Sequence, residues 1–510
     1  MKNAANSHRN FFKTAGLLSA GITILPSYTV KGMTRERLQL TGAGICHPAA
    51  GRWIILCYTL LLSAFLSFSC TERNKVPVTK SEPTIPQINK SLALIPPMGW
   101  NSWDCFGFDV NESEVRATAD FMAKNLKSLG YEYIVLDMNW YAPLWPATKD
   151  SQAASYHIDT FGRLQPDTIK FPSSCGGKGF KPLADYIHSL GLRFGIHILG
   201  GIPKKAVDAN CPVKGTSLHA QSIIHSEKGG YWYESFNGID LSKPGGQEYY
   251  NSIFELYAQW GVDFIKADYL AFQTELIGIS RASRTCGRDM IISAVPDRIP
   301  EQILKENAHM ARTGIDLWDH WEWLKRSFFM AAMVVKEAEP GYWPDMDMLP
   351  VGKLNVKSPR SGAKPHMSNL TTDEIYSLFS LWYISRMPLF IGGYLPEMDP
   401  FTLGLISNEE ALEVNRNSCN NHQIYQFETD FIVWTADIPD SKDKYVALFN
   451  ISDRKNPVEI GASWEQLGLT EPIYNVRDIW ERKNLGASKD GLKYAVNSHG
   501  ARLFKISKSQ

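Results

Sequence analysis

Lys266 and Asp268 stand two apart at the end of the run Gly261-Val262-Asp263-Phe264-Ile265-Lys266-Ala267-Asp268. On a strand, residues two apart share a face, so the ammonium and the carboxylate would emerge together where the apolar segment runs out. Lys266 would then depress the Asp268 pKa and keep the carboxylate ionised at neutral pH. Arg312 precedes Asp316 by four residues and could bind hydroxyl groups or bias local protonation. Trp103, Asp137, His197, Asp345 and Asp347 occupy comparable places, each at or just past the end of a short strand-like run. Taken singly, a strand-end aspartate is more often a loop cap than a catalyst, and Asp345 with Asp347 could merely brace the loop that holds Met346 and Pro350. The set is more informative than its members. Several carboxylates, a lysine and an arginine, without metal-ligand spacing, are what glycoside hydrolysis requires. One carboxylate attacks the anomeric carbon and another carboxyl group protonates the leaving oxygen.

The elements that must position these groups read as copies of one unit. Leu129-Gly130 leads into Tyr131 to Leu136 and then Asp137; Ser189-Leu190-Gly191 leads into Leu192 to Ile196 and His197; Gln259-Trp260-Gly261 leads into Val262 to Ile265, Lys266 and Asp268. Each copy is a helix, a glycine, an apolar strand and a polar residue at its end. Strands apolar along their whole length are buried on both faces, which implies a parallel sheet covered by helices. Further strand candidates are Ile95 to Trp103, Met290 to Val295, His309 to Asp316, Trp343 to Leu349 and Met387 to Gly393. Asn111-Glu112-Ser113-Glu114 and Thr371-Thr372-Asp373-Glu374 predict capped helix starts, the first opening a helix that stops at Gly130. Eight strands with interleaved helices predict an α/β fold, a (β/α)8 TIM barrel whose chemistry lies at the strand C-ends. A doubly wound open sheet competes, but no GxGxxG or phosphate loop follows any strand. After residue 418 short β-type runs recur at Phe431 to Trp434, Tyr445 to Phe449, Ile473 to Val476 and Ala501 to Ile506. These predict a C-terminal antiparallel β-sandwich without a catalytic cluster.

Lys+Arg and Asp+Glu both total 53, so charge gives no reason to expect nucleic acid as a partner. Eight cysteines without CxxC or Cys/His spacing indicate neither a disulfide scaffold nor a metal site, and no cofactor is expected. Near the N-terminus, Arg9 to Lys13 and the apolar residues after it look like a degraded twin-arginine signal. More telling is the uncharged run from Trp53 to Ser69, which stops at Cys70. It resembles a bacterial lipoprotein signal cleaved before a lipidated Cys70, with a single membrane anchor as the alternative. The expected organisation is an export region over 1–70, a flexible tether over 71–90, the barrel over 91–417 and the β domain over 418–510. The expected location is the periplasm or the outer-membrane or cell surface, with contact to a membrane only through that anchor.

Pro96-Pro97-Met98-Gly99-Trp100-Asn101-Ser102-Trp103, Gly130 to Asp137, Trp260 to Asp268, Trp343 to Leu349, Pro388 to Gly393 and Tyr445 to Asn450 together resemble glycoside hydrolase family 27. That is the α-galactosidase and α-N-acetylgalactosaminidase family, and the likeness runs in order over residues 92–508. It implies a (β/α)8 barrel, an antiparallel β domain and a retaining mechanism on an oligo- or polysaccharide. By motif, Asp268 matches the nucleophile and Asp316 the acid/base, while Trp103, Asp137, Lys266, Arg312 and Asp347 match sugar-contacting positions. Three departures stand out. Met138 replaces a second aspartate that contacts sugar hydroxyls, His197 stands where many members have tyrosine, and Ser293-Ala294-Val295-Pro296-Asp297 lacks a Cys-Glu-Trp element. The expectation is an exported retaining α-galactosidase. The alternatives are a β-L-arabinopyranosidase, α-N-acetylgalactosaminidase or isomaltodextranase on the same fold, or a glycan-binding lipoprotein without activity.

Overall fold

A computed structural model describes residues 87–143, 155–225, 235–270, 272–357, 364–427 and 430–509; the signal region and Cys70 lie outside them. Eight parallel strands come first: β1 (Met98–Asn101), β2 (Tyr133–Leu136), β3 (Arg193–Leu199), β4 (Phe264–Leu270), β5 (Ile291–Pro296), β6 (Met310–Arg312), β7 (Trp343–Asp345) and β8 (Leu389–Ile391). They lie side by side in the order β8-β1-β2-β3-β4-β5-β6-β7. The ring closes through Leu349, just past β7. Its N–H donates to the Phe390 carbonyl at 2.8 Å and its carbonyl accepts from the Gly392 N–H at 2.9 Å. This is the (β/α)8 barrel that the repeated unit predicts.

Alternation along each strand explains where the site lies. Tyr133, Val135, Phe264, Ile291, Met310, Trp343 and Phe390 pack together in one cluster, whereas Ile134, Leu136, Ile265, Ile292, Ala311 and Ile391 belong to the large core shared with the helices. Continuing the first set by steps of two arrives at Asp137, Lys266, Asp268, Ser293, Arg312 and Asp345. The barrel lumen is thus apolar low down and polar at the strand C-ends. Two glycines make room for the large rings. A Cβ at Gly99 would lie 2.3 Å from the Tyr133 carbonyl oxygen, and one at Gly195 would lie 2.9 Å from the Phe264 Cβ. Beneath the rings, the turn Lys90–Ala93 accepts the Trp343 indole N–H at 2.7 Å. His309 Nδ1 accepts from the Ile292 N–H while Nε2 meets the Asn89 carbonyl at 3.1 Å. That pattern fits a neutral ring, and burial pushes its pKa down to about 4.

A helix follows each strand: α1 (Glu112–Asn125), α2 (Lys181–Ser189), α3 (Gly246–Trp260), α4 (Gln273–Thr285), α5 (Glu301–Asn307), α6 (Trp321–Val334) and α7 (Thr372–Ile384), then α8 (Pro400–Ile406) and α9 (Glu409–Asn417) after β8. Both capping boxes are present, at Asn111 with Glu114 and at Thr371 with Glu374. The first helix ends earlier than its glycine suggested. Leu126 leaves helical geometry at φ −125°, which keeps its side chain in the core, and a 3-10 turn over Lys127–Leu129 follows. Gly130, at φ 87°, closes that turn rather than the helix.

The β domain holds β9 (Cys419–Phe427), β10 (Phe431–Asp437), β11 (Lys444–Asn450), β12 (Val458–Ala462), β13 (Tyr474–Asp478), β14 (Lys483–Ser488), β15 (Leu492–Val496) and β16 (Ala501–Lys508). A six-stranded antiparallel sheet, β9-β10-β11-β16-β13-β14, is accompanied by the pair β12-β15, with a core of their own between them. Sequence runs foresaw β10, β11, β13 and β16. Of the others, β9 is largely polar and β14 exposed along almost its whole length, while β12 and β15 are five-residue strands that bury only alternate residues. The domain docks on the barrel helices. Arg477 bonds both oxygens of Glu410 at 2.6 and 2.7 Å, and the Trp480 indole donates to Ser380 Oγ at 2.9 Å. The His499 ring stacks on Trp321 at 4.0 Å. Among the described residues no helix is long and apolar enough to cross a membrane.

Candidate active site

At the top of β4 the regular ladder breaks. Lys266 pairs with Ser293 and Ala267 with Ala294, but Leu270 next pairs with Pro296, so β4 carries one extra residue at Asp268-Tyr269. Tyr269 takes φ 53°, a conformation that L residues seldom adopt. The bulge aims the Tyr269 N–H back at Asp268 Oδ1, at 2.7 Å. His197, at the top of the neighbouring β3, places Nε2 3.0 Å from Asp268 Oδ2. Both carboxylate oxygens are therefore held. Burial alone would raise the Asp268 pKa, but the hydrogen bond and charge of His197, with Lys266 adding less, hold it below the usual carboxylate range.

Lys266 lowers the Asp268 pKa, as their spacing implies, but its direct bond is to another carboxylate. Its ammonium bonds Asp137 Oδ2 at 2.7 Å, and the Asn101 amide donates to the same oxygen at 2.8 Å. The Met138 N–H takes Oδ1 at 2.8 Å. Burial disfavours both charges, yet each stabilises the other: Asp137 is held well below its ordinary range and Lys266 above its own. His197, not Lys266, is the direct partner of the Asp268 carboxylate.

The third grouping is built on Arg312 at the end of β6. Its Nη1 donates to Asp347 Oδ1 at 2.7 Å and its Nη2 to Asp316 Oδ1 at 3.0 Å. Asp347 also accepts the Leu317 N–H on Oδ2 and the Met348 N–H on Oδ1, each at 2.8 Å, in a backbone held at φ 96°. Burial raises its pKa, against the pull of Arg312, to about 7. Asp316 itself is 57% exposed on its side chain. It is an open carboxyl group held by Arg312 at one oxygen. Asp345 does brace the loop, accepting the Asp347 N–H at 2.9 Å. Strained backbone at Asn139 (φ 74°) and Asp347, just past strand ends, and at the Tyr269 bulge near the end of β4, is the kind of strain that concentrates at functional sites.

The structure thus brings together seven of the residues singled out in the sequence, as Asp137 with Lys266, His197 with Asp268, and Arg312 with Asp316 and Asp347. Trp103 packs on the lumen cluster and sets its ring edge-to-face on Phe108 at 4.8 Å. Sequence reasoning missed Asn101 and Lys170. Asn101 shares β1's inward face, two residues after Gly99, and that alternation would have identified it. Lys170 ties the loops after β1 and β2 by donating to the Phe108 and Asn139 carbonyls at 2.6 and 3.0 Å; burial lowers its pKa to about 8. Nothing in its local sequence marks it. No cluster of His, Cys, Asp or Glu among the described residues could hold a metal ion.

An ionised, doubly anchored carboxylate, a second and open carboxyl group, and a ring of fixed charges at a barrel mouth define a glycoside hydrolase. Comparison with known proteins agrees. The family model described as Alpha galactosidase A matches residues 95–206 and 237–417, and the one for the alpha galactosidase C-terminal beta sandwich domain matches 428–506. The chain belongs to glycoside hydrolase family 27. It is 29% identical over 429 residues to the alpha-galactosidase of Cyamopsis tetragonoloba, covering 81% of this chain and 87% of that one. To alpha-galactosidase A of Cellvibrio japonicus it is 26% identical over 453 residues, covering 82% and 93%. The crystal structure of a family 27 β-L-arabinopyranosidase from Geobacillus stearothermophilus superposes with a TM-score of 0.78 at 40% identity, covering 83% of this chain and 98% of that one.

Proposed function

We propose that the protein is a retaining exo-glycosidase in which Asp268 is the nucleophile and Asp316 the acid/base. The observation that carries this is the Asp268 carboxylate, kept ionised and fixed at both oxygens. Asp268 attacks the anomeric carbon while Asp316 gives its proton to the departing oxygen. Asp316 then takes a proton from water, whose oxygen displaces Asp268. Trp103, Asp137, His197, Lys266, Arg312 and Asp347 form the wall that holds the sugar.

The terminal sugar has the galactose ring configuration, shared by α-D-galactopyranosides and β-L-arabinopyranosides, which differ by the hydroxymethyl group on C5. Met138 inclines the site to the pentose. It directly follows Asp137, is 3% exposed and offers a hydroxyl group no strong hydrogen-bond partner. Both aryl glycosides should be cleaved, the arabinopyranoside with the higher kcat/KM. Met138→Asp should move the ratio about tenfold or more toward the galactoside. Cleavage of neither substrate would sink the glycosidase reading; an unmoved ratio would sink the role of Met138.

The protein is exported and anchored through Cys70, a reading supported by the uncharged run Trp53 to Ser69 that precedes it. Cys70→Ser should transfer activity from the membrane fraction to the soluble one. Activity that stays with the membranes after that change would refute lipidation at Cys70.

A further inference from the structure

Asp104 lies on the helical turn Trp103–Phe106 just after β1. It is 4% exposed, and its Oδ2 is buried without a hydrogen-bond partner. Gly392, just after β8, makes the space for it: a Cβ there would lie 1.9 Å from Asp104 Oδ2 and 2.6 Å from its Cγ. Carboxyl groups that brace loops in this protein look different. Asp167 caps the N–H groups of Ile169 and Lys170 at 3.0 and 2.7 Å, and Asp345 caps that of Asp347. Asp104 engages its neighbours instead through its backbone carbonyl, which accepts the Asn355 N–H at 2.9 Å. The charged groups acting on its carboxyl are Asp347, Lys266, Asp137 and Asp316, all four members of the site. Burial first, and Asp347 next, push its pKa well above the usual range, with Lys266 opposing. A buried polar atom left unpaired in a native fold calls for a partner.

We propose that the Asp104 carboxyl is a further specificity residue, hydrogen-bonding a hydroxyl group of the terminal sugar. The proposal rests on the glycosidase reading above. A protonated carboxyl presents one O–H donor and one acceptor oxygen. Asp104→Asn keeps both kinds of group, whereas Asp104→Leu keeps the approximate bulk and loses both.

Steady-state kinetics on the preferred aryl glycoside, with inhibition by the free monosaccharide, test this. Asp104→Asn should lose about threefold in kcat/KM, and Asp104→Leu should raise KM and the product Ki about tenfold. Its effect on kcat should be smaller and its melting temperature no lower, which a merely structural role would not produce. Unchanged KM and Ki in Asp104→Leu would overturn the proposal, the carboxyl then meeting only water. Asparagine as damaging as leucine would overturn it too, because a carboxylate charge would then be what counts. Should the leucine variant not fold, Asp104→Ala, which also loses both groups, carries the same comparison. A wild-type enzyme that cleaves no glycoside would instead defeat the glycosidase reading itself.

Discussion

Replacing Asp268 by asparagine should lower kcat by about 10⁴-fold or more and leave the fold intact. The amide is nearly isosteric with the carboxylate but is a poor nucleophile, so the covalent route is lost. The surroundings tolerate the change. The amide oxygen can keep one of the two donors that now hold Asp268, the Tyr269 N–H or His197 Nε2, and a histidine can present its ring nitrogen as an acceptor to the new NH₂ group. Far-ultraviolet circular dichroism and the melting curve should match the wild type while turnover of aryl and natural glycosides disappears together. A variant with normal kinetics would show that Asp268 is not the nucleophile.

Asp316→Ala should act unevenly across substrates. For a glycoside with a poor leaving group, removing the proton donor should cost about 10²–10⁴-fold in kcat/KM. For an aryl glycoside whose phenolate departs unaided, that loss should be small, and slow release of the glycosyl-enzyme should limit kcat instead. The geometry supports this division. Asp316 is exposed and hangs from Arg312 Nη2, while the next residue is fastened to Asp347 by the Leu317 N–H. The loop therefore keeps its place when the side chain is removed. An equal loss on both kinds of substrate would mean that Asp316 serves binding or loop structure rather than proton transfer.

Much of this was legible because two physical signals coincide in the sequence. Apolar runs ending in a polar residue identified the barrel strands, three of them after a glycine, and placed Asp137, Lys266 and Arg312 at strand C-ends. Pairings across strands were not legible. The spacing of Lys266 and Asp268 implied that the lysine lowers the Asp268 pKa, which it does, but not that the barrel brings Asp137 to the ammonium and His197 to the nucleophile. Such choices depend on the stagger of neighbouring strands and on the bulge at Tyr269, which no local pattern announces. Lys170 and Asp104 were invisible for a related reason: the carbonyls that hold the one and the Gly392 backbone that walls in the other lie on separate segments that only the closed barrel brings near. In the β domain, half the strands escaped because they are polar, exposed or too short for their alternation to stand out.

The central claim is a covalent bond between substrate and Asp268. Incubation with an activated 2-deoxy-2-fluoro glycoside of galactose configuration should accumulate that intermediate, and mass spectrometry of the digested protein reads where the sugar sits. One glycosyl group on the peptide carrying Asp268, absent from Asp268→Asn, is the expected result. A label on another residue, or a catalytically active enzyme that acquires none and releases its sugar with inverted configuration, would contradict it.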